Sequence, residues 1–285
     1  MRVVSTVAEL RAARGDYSSL GFVPTMGFLH EGHLTLVRAA KARMGAVACS
    51  IFVNPTQFAP TEDLARYPRD LERDLALLAE AGCDLVFTPA PEEIYPDGFS
   101  TRIEVEGVTA PLEGAVRPGH FSGVATVVTK LFNMVQPDAA WFGQKDAQQC
   151  AVIRRMAHDL NLPVEIVVAE TVREPDGLAM SSRNIYLAAD ERVAALCLIR
   201  ALRAAEAAFD AGERSAERLR AAMSSVLVAE AMARPDYVSV ADPDTLAELD
   251  TVDARGAVAS LAVRIGKTRL IDNLLLGEAR QKWLR

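Results

Sequence analysis

Pro24-Thr25-Met26-Gly27-Phe28-Leu29-His30-Glu31-Gly32-His33 follows a short apolar run, Leu20-Gly21-Phe22-Val23. After it, Leu34, Val37, Ala39 and Ala40 recur at helical spacing, with Lys41 and Arg43 near the end. The pattern predicts a buried strand, a glycine-containing turn and a helix N-terminus. Such a junction gathers unpaired backbone N–H groups at the positive end of the helix dipole, where a phosphate is stabilised. His30 and His33 are three residues apart and share one helical face. Gly27 and Gly32 let a large ligand come close to the backbone. Two histidines near a helix start could hold a metal or serve structure alone. The zinc-protease spacing is four, however, and here it is three.

The 285-residue chain is 50% hydrophobic and 24% charged, ordinary for a globular protein and long enough for two domains. A net charge of −7 argues against a broad nucleic-acid surface, although a few local cations suffice for a small anionic substrate. The four cysteines, Cys49, Cys83, Cys150 and Cys197, are far apart and lie in apolar runs, which reads as free thiols in a reducing compartment. Neither a signal-peptide core nor a membrane-length apolar run is present, so a cytoplasmic protein without membrane partners is expected.

Arg2–Val4 reads as a strand, followed by a helix capped by Thr6 and ending at Arg14. Ala46–Val53 is a near-continuous apolar run, as in a parallel strand covered on both faces, and ends in the loop Asn54-Pro55-Thr56-Gln57-Phe58. A helix over 68–81, a strand over 84–88, a strand over 101–105, a helix over 124–135, and strands over 138–142 and 164–169 follow. Gly143-Gln144-Lys145-Asp146 makes a second strand–glycine–helix junction with a cation at its mouth. Alternating strands and helices predict an α/β fold with a doubly wound, Rossmann-like parallel sheet, whose ligands bind beyond the strands' C-terminal ends. After Val172 the character changes. Two alanine-rich helices, about 190–211 and 215–232, and strands over 237–241, 257–263 and 267–275 predict a smaller α+β domain, the last two strands forming a hairpin across Ile265-Gly266. The expected division is 1–173 and 174–285.

The His-x-Gly-His pattern resembles the ATP-binding signature of the nucleotidylyltransferase superfamily, which includes the class I aminoacyl-tRNA synthetases. Five stretches together, Pro24–His33, Ile51–Phe58, Arg117-Pro118-Gly119-His120-Phe121-Ser122-Gly123, Phe142–Gln149 and Arg173–Asn184, resemble the pantothenate synthetase (pantoate–β-alanine ligase) family in order and spacing. The likeness runs from residue 1 to about 275. Phe28 stands where the family more often has a small residue, and Ala147 where it more often has an aromatic one.

The resemblance implies an ATP-dependent ligase acting through pantoyl adenylate, with magnesium accompanying the ATP, in a cytoplasmic homodimer. It implies nucleotide contacts at Met26, Gly27, Phe28, Leu29, His30, Glu31, Gly32, His33, Gly143, Gln144, Lys145, Asp146, Val172, Met180, Ser181, Ser182 and Arg183. Of these, His30, His33, Lys145 and Arg183 would be catalytic, with His33 at the position of the family's proton donor. Met180–Arg183 looks like the family's version of the Lys-Met-Ser-Lys-Ser loop, although alone it also reads as a turn capping the next helix. Gln57 and Gln149 match pantoate ligands, and Asp74 is a metal candidate that reads equally as a solvent-facing helix acid. Two other readings are a nucleotidylyltransferase that transfers AMP or CMP and stops, and an ATP-binding regulatory protein without turnover. The presence of His30, His33, Lys145, Ser181 and Arg183 together speaks against the second.

Overall fold

Strand β1 (Arg2–Val4) leads into helix α1 (Val7–Arg14), which begins in a capping box: the Thr6 hydroxyl accepts from Glu9 N and the Glu9 carboxylate accepts from Thr6 N. These belong to a computed structural model that describes residues 1–58 and 64–284. By its contacts the chain divides into two units. One is Met1–Gly143 with Val152–Ala169; the other is Gln144–Ala151 with the chain from Glu170 onward.

In the first unit, β2 (Gly21–Thr25), α2 (Glu31–Met44), β3 (Val47–Ile51), α3 (Leu71–Glu80) and β4 (Leu85–Phe87) alternate as expected. Two short helices, α4 (Pro91–Ile94) and α5 (Glu113–Val116), precede α6 (His120–Val135) and β5 (Ala139–Gly143). Helix α7 (Ala147–Asp159), whose residues up to Ala151 belong to the second unit, then leads to β6 (Glu165–Ala169). The six strands form one parallel sheet in the order β1-β4-β3-β2-β5-β6. From β2 the chain winds outward through β3 and β4, then returns to β2's other side with β5. The C-terminal ends of β2 and β5 are therefore the switch point where such sheets bind ligands. Pro24 has no N–H to give a ladder, and it falls where the pairing of β2 with β5, Gly21 to Ala139 and Phe22 to Ala140, has already ended.

Side chains of a strand alternate between faces. Val23, Cys49, Val86 and Trp141 pack with Leu34, Val37 and Leu78 from α2 and α3. Phe22 and Phe142 point the other way and meet Phe132 of α6 edge-on, with centroids 6.5 and 6.4 Å apart. Both faces are covered, so these strands carry the near-continuous apolar runs that buried parallel strands need. All four cysteines are buried and free, and burial raises the Cys197 thiol pKa to about 11, which keeps it protonated.

The second unit holds an antiparallel sheet of β7 (Ala233–Ala241), β8 (Ala257–Ile265) and β9 (Thr268–Leu276). Helices α8 (Ala189–Ala194), α9 (Cys197–Asp210), α10 (Ala216–Val228) and α11 (Ala279–Trp283) complete it. Leu198, Leu202, Leu219 and Met223 form its core with Leu261 and Val263 of β8.

Several elements depart from the sequence reading. Residues 101–105 form no strand: Ile103 N donates instead to Thr126 Oγ1 of α6 at 3.0 Å. Helix α3 starts at Leu71 because the Asp70 carboxylate accepts from Arg73 N. The first alanine-rich helix is broken after Ala194, and no glycine or proline in the local sequence marks the break. The β8–β9 turn is Gly266-Lys267, one residue later than expected, with Gly266 at φ +57° in the positive-φ position that a tight hairpin needs. The contact division also departs from a single cut at 173/174. Gln144 and Lys145 join the second unit because Asn273, 2% exposed, donates to both their carbonyls at 2.9 Å and accepts from Gln144 Nε2 at 3.0 Å.

Truncating Leu202, fully buried in α9, should lower unfolding free energy by about 2–5 kcal/mol in urea titrations. A loss below about 1 kcal/mol would show that the helices close over the gap.

Candidate active site

At the end of β2 the Thr25 hydroxyl donates to Ser50 O at 2.8 Å and accepts from Gly27 N at 3.2 Å. The chain then turns through two positive φ values, +83° at Gly27 and +50° at Phe28. Phe28 is an uncommon residue for that region, and something must hold it there. Asp74, on the first turn of α3, does so: its Oδ2 accepts from Phe28 N and its Oδ1 from Leu29 N, both at 2.7 Å. A Cβ at residue 27 would lie 3.0 Å from Asp74 Oδ2 and from Ile51, so the close approach as well as the φ favours glycine. Asp74 is 1% exposed, which corrects the reading of it as a solvent-facing acid. Burial raises its pKa above the ordinary carboxylate value, opposed by the N–H groups of Leu29 and Phe28 and by Arg73. Arg73 lies 3.7 Å from Asp74 and over the Phe28 ring at 5.4 Å. Leu29 is a core side chain, so it could offer a ligand only its backbone.

Helix α2 begins with the histidine pair. His30 is its N-cap, and its Nδ1 accepts from Gly32 N at 3.2 Å; His33 Nδ1 accepts from His30 N at 3.3 Å. This is the logic of a capping box, with imidazoles in place of Ser and Glu. Because Nδ1 accepts in both rings, the neutral ring proton resides on Nε2, and Nε2 is the donor each ring can offer. The ring centroids are 4.1 Å apart. Glu31 pairs with Arg38, about two turns further along the same face of α2.

Gln57 lies in a 3₁₀ turn, Pro55–Gln57, after β3. The turn is organised by Asn54, 1% exposed, whose Oδ1 accepts from Thr56 N at 3.3 Å, Thr56 Oγ1 at 2.9 Å and Tyr95 Oη at 2.8 Å. Since Thr56 N–H only donates, the Asn54 oxygen is fixed there and its Nδ2 is the donor, given to Gln57 Oε1 at 3.0 Å. Gln57 is left to present Nε2, which lies 3.2 Å from Met26 Sδ. The sequence reading named Gln57 but missed Asn54, Tyr95 and the positioning task of Asp74. An Asn-Pro step is a turn signal and could have marked Asn54; no signal in sequence gives Tyr95 or Asp74 its partner.

The remaining candidates lie in the second unit, except Gly143, which ends β5. Lys145 Nζ lies 3.4 Å from Asp146 Oδ1, and Gln149 is half-buried on α7. The 173–184 loop is a closed structure. Met180 N donates to Val172 O at 3.0 Å, Arg173 bridges to Ala179, and Asn184 Nδ2 reaches Glu174 at 2.7 Å and Ala179 O at 3.1 Å. Ser181 caps a 3₁₀ turn, Ser182–Tyr186, by accepting from Arg183 N at 3.2 Å. Arg173 is locked on Asp272 by two hydrogen bonds of 2.7 and 2.9 Å. A cavity of about 230 Å³ lies beside Gln144, Thr171 and Arg173, the last two flanking Val172. Among the described residues no group of three or more His, Cys, Asp or Glu is placed to hold a metal ion.

Comparison with known proteins gives one consistent result. The family described as pantoate-beta-alanine ligase matches residues 2–275. A pantothenate synthetase of Herpetosiphon aurantiacus is 64% identical over 276 residues, 97% of this chain and 100% of the relative. Another, from a Roseiflexus species, is 65% identical over 277 residues, 97% and 99% of the two chains. The crystal structure of pantothenate synthetase from Thermus thermophilus superposes with a TM-score of 0.92 at 55% identity, covering 96% of this chain and 99% of its own. That of pantoate-beta-alanine ligase from Francisella tularensis, solved with beta-gamma ATP and beta-alanine, gives 0.79 at 35%, covering 96% and 97%.

Replacing Asp74 by Ala should strand two backbone donors, a cost of about 1–3 kcal/mol for each buried group left unpaired. Asp74→Asn, which keeps one strong acceptor, should fall between parent and Asp74→Ala in urea titrations. An Asp74→Ala protein as stable as the parent would remove the carboxylate from this role.

Proposed function

The chain belongs to the pantoate–β-alanine ligase family and is an ATP-dependent ligase of pantoate with β-alanine; we propose that it makes pantothenate in two half-reactions centred on the turn that follows β2. The observation that carries the placement is the Asp74-held turn feeding a helix N-terminus capped by His30 and His33. In the first half-reaction the pantoate carboxylate attacks the α-phosphorus of ATP, forming the acyl–phosphate bond as the bond to pyrophosphate breaks. In the second, the β-alanine amine attacks the acyl carbon. The carbon–oxygen bond to AMP breaks, and the amine loses a proton as the amide forms.

The first step brings two anions together, so the site must supply donors and fixed positive charge. With Nδ1 of each ring accepting from the cap, His30 and His33 would direct Nε2–H toward phosphate oxygens. Using Nδ1 for the cap fixes the ring planes, so little reorganisation is needed when charge develops. Lys145 would add a point charge, and Arg183 with Ser181 and Ser182 would clamp the triphosphate and the departing pyrophosphate. Gly27, Gly32, Gly143, Asp146, Val172 and Met180 would contact the nucleotide. Gln57, with Nε2 as its presented group, would donate to a carboxylate or hydroxyl oxygen of pantoate, and Gln149 would supply a second amide.

Magnesium, in this reading, enters on the triphosphate, held by phosphate oxygens and water. Asp74 is 1% exposed and both of its oxygens accept backbone N–H groups, so this reading gives it the turn rather than the ion. The four buried, free thiols support a reducing, cytoplasmic setting. The homodimer is carried over from the family likeness.

The assay that tests this reading measures AMP from ATP and pantoate, with and without β-alanine. Sustained AMP formation requiring both acids is expected; a stable nucleotide product without an amine acceptor would support plain nucleotidyl transfer instead. His33→Ala should lower the adenylation rate by about 10²–10³, the typical loss of one such donor. A variant retaining most of that rate would remove His33 from the step. Arg183→Ala should slow adenylate formation and spare the second half-reaction started from pantoyl adenylate. Equal losses in both would show that Arg183 holds the adenylate instead.

A further inference from the structure

The motif Arg117–Gly123 matches the family as well as the others do, yet none of its residues has a task in the reading above. We propose that His120 is a positioning residue for pantoate, setting where the Gln57 amide stands by holding the backbone of the Pro55–Gln57 turn; this rests on Gln57 being a pantoate ligand.

His120, the first residue of α6, places Nδ1 2.8 Å from the Gln57 carbonyl oxygen and Nε2 3.1 Å from Arg117 Nη1. A carbonyl only accepts and a guanidinium only donates. Nδ1 must therefore carry the proton and Nε2 must accept, the tautomer opposite to that of His30 and His33. Arg117 fixes the tautomer, and the tautomer fixes the donor to Gln57. Arg117 in turn lies 4.0 Å from Glu113.

Three residues on, the same helix turn touches the loop backbone to backbone. A Cβ at Gly123 would fall 2.4 Å from Thr56 O, 2.6 Å from Thr56 C and 2.8 Å from Gln57 Cα. The Gly123 carbonyl accepts from Asn54 Nδ2 at 3.2 Å. The turn is thus held from beneath at two points, by His120 on the Gln57 carbonyl and by Gly123 against Thr56. Asn54 then aims the Gln57 side chain by holding Oε1, with Nε2 against Met26 Sδ at 3.2 Å. These contacts set the height and direction of one amide, and a misplacement of about 1 Å in a positioning group can cost as much as 10²-fold in rate.

The test compares two amide replacements. Asn at 120 brings its Nδ2–H₂ close to where imidazole Nδ1–H lies, whereas Gln reaches toward the Nε2 position. His120→Gln should raise the pantoate KM by about tenfold, the size of one lost hydrogen bond. Its ATP KM should stay within about twofold, and its urea midpoint should stay near the parent's. His120→Asn should restore most of the pantoate KM. In a Gln57→Ala background, His120→Gln should add little, since the amide it positions is gone.

If Gln57→Ala leaves the pantoate KM unchanged, the placement of the pantoate site fails. If Gln57→Ala raises it but His120→Gln does not, or if His120→Gln raises the ATP and pantoate KM alike, the positioning role is overturned. Equal losses in the Asn and Gln variants would overturn the Nδ1 donor. Nitrogen-15 NMR of the parent provides a readout independent of variant folding: His120 should show a protonated Nδ1 and an unprotonated Nε2 at neutral pH. The reverse tautomer would overturn the proposal.

Discussion

A buried carboxylate accepting two adjacent backbone N–H groups is the constraint from which the first unit's site is built. Asp74 holds Phe28 and Leu29 at 2.7 Å each and keeps a non-glycine residue at φ +50°. Without it, the chain leaving β2 would have buried donors with no partner and a strained Phe28 with nothing to oppose relaxation. With it, the turn is short and fixed, and α2 starts where His30 can cap it. Burying a charge is costly, and the raised pKa of Asp74 records that cost. Two charge-assisted hydrogen bonds and the nearby Arg73 offset part of it.

The histidine pair extends the same economy. A helix N-terminus leaves N–H groups that a cap, water or ligand must satisfy. Here His30 and His33 take cap positions through Nδ1, so the residues available to meet an anion also hold the helix end in place. The Ser181 cap at Arg183 repeats this arrangement in the second unit with a hydroxyl. In both places a backbone requirement of the fold orients a side chain that the proposed chemistry would use. His120 shows the contrary tautomer because its neighbours are a carbonyl and a guanidinium rather than backbone donors.

Much was legible in the chain alone. The apolar run at 46–53 and the strand at 138–142, set among glycines and amphipathic stretches, point to a parallel sheet covered on both faces, because strands buried on both sides can be apolar without alternation. The glycine-flanked His30–His33 spacing determines a strand–turn–helix junction, and the five motifs determine the family. These signals are local: each is written within a dozen residues, in a period or in a turn composition.

What only the tertiary structure decided is where polar groups find partners across long stretches of sequence. Asp74 reads as a helix acid until β2 is laid beside α3 and 45 residues of separation close to 2.7 Å. Residues 101–105 read as a strand, yet Ile103 gives its N–H to the α6 hydroxyl of Thr126. The direction of the Gln57 amide follows from Asn54, and the place of its turn from His120 and Gly123, 63 and 66 residues later in the chain. Gln144 and Lys145 group with β9 because Asn273 accepts and donates to them. Hydrophobic periodicity records which residues leave water, a property each residue has by itself. A hydrogen bond belongs to a pair, and its second member is set only when the sheet order brings distant segments together.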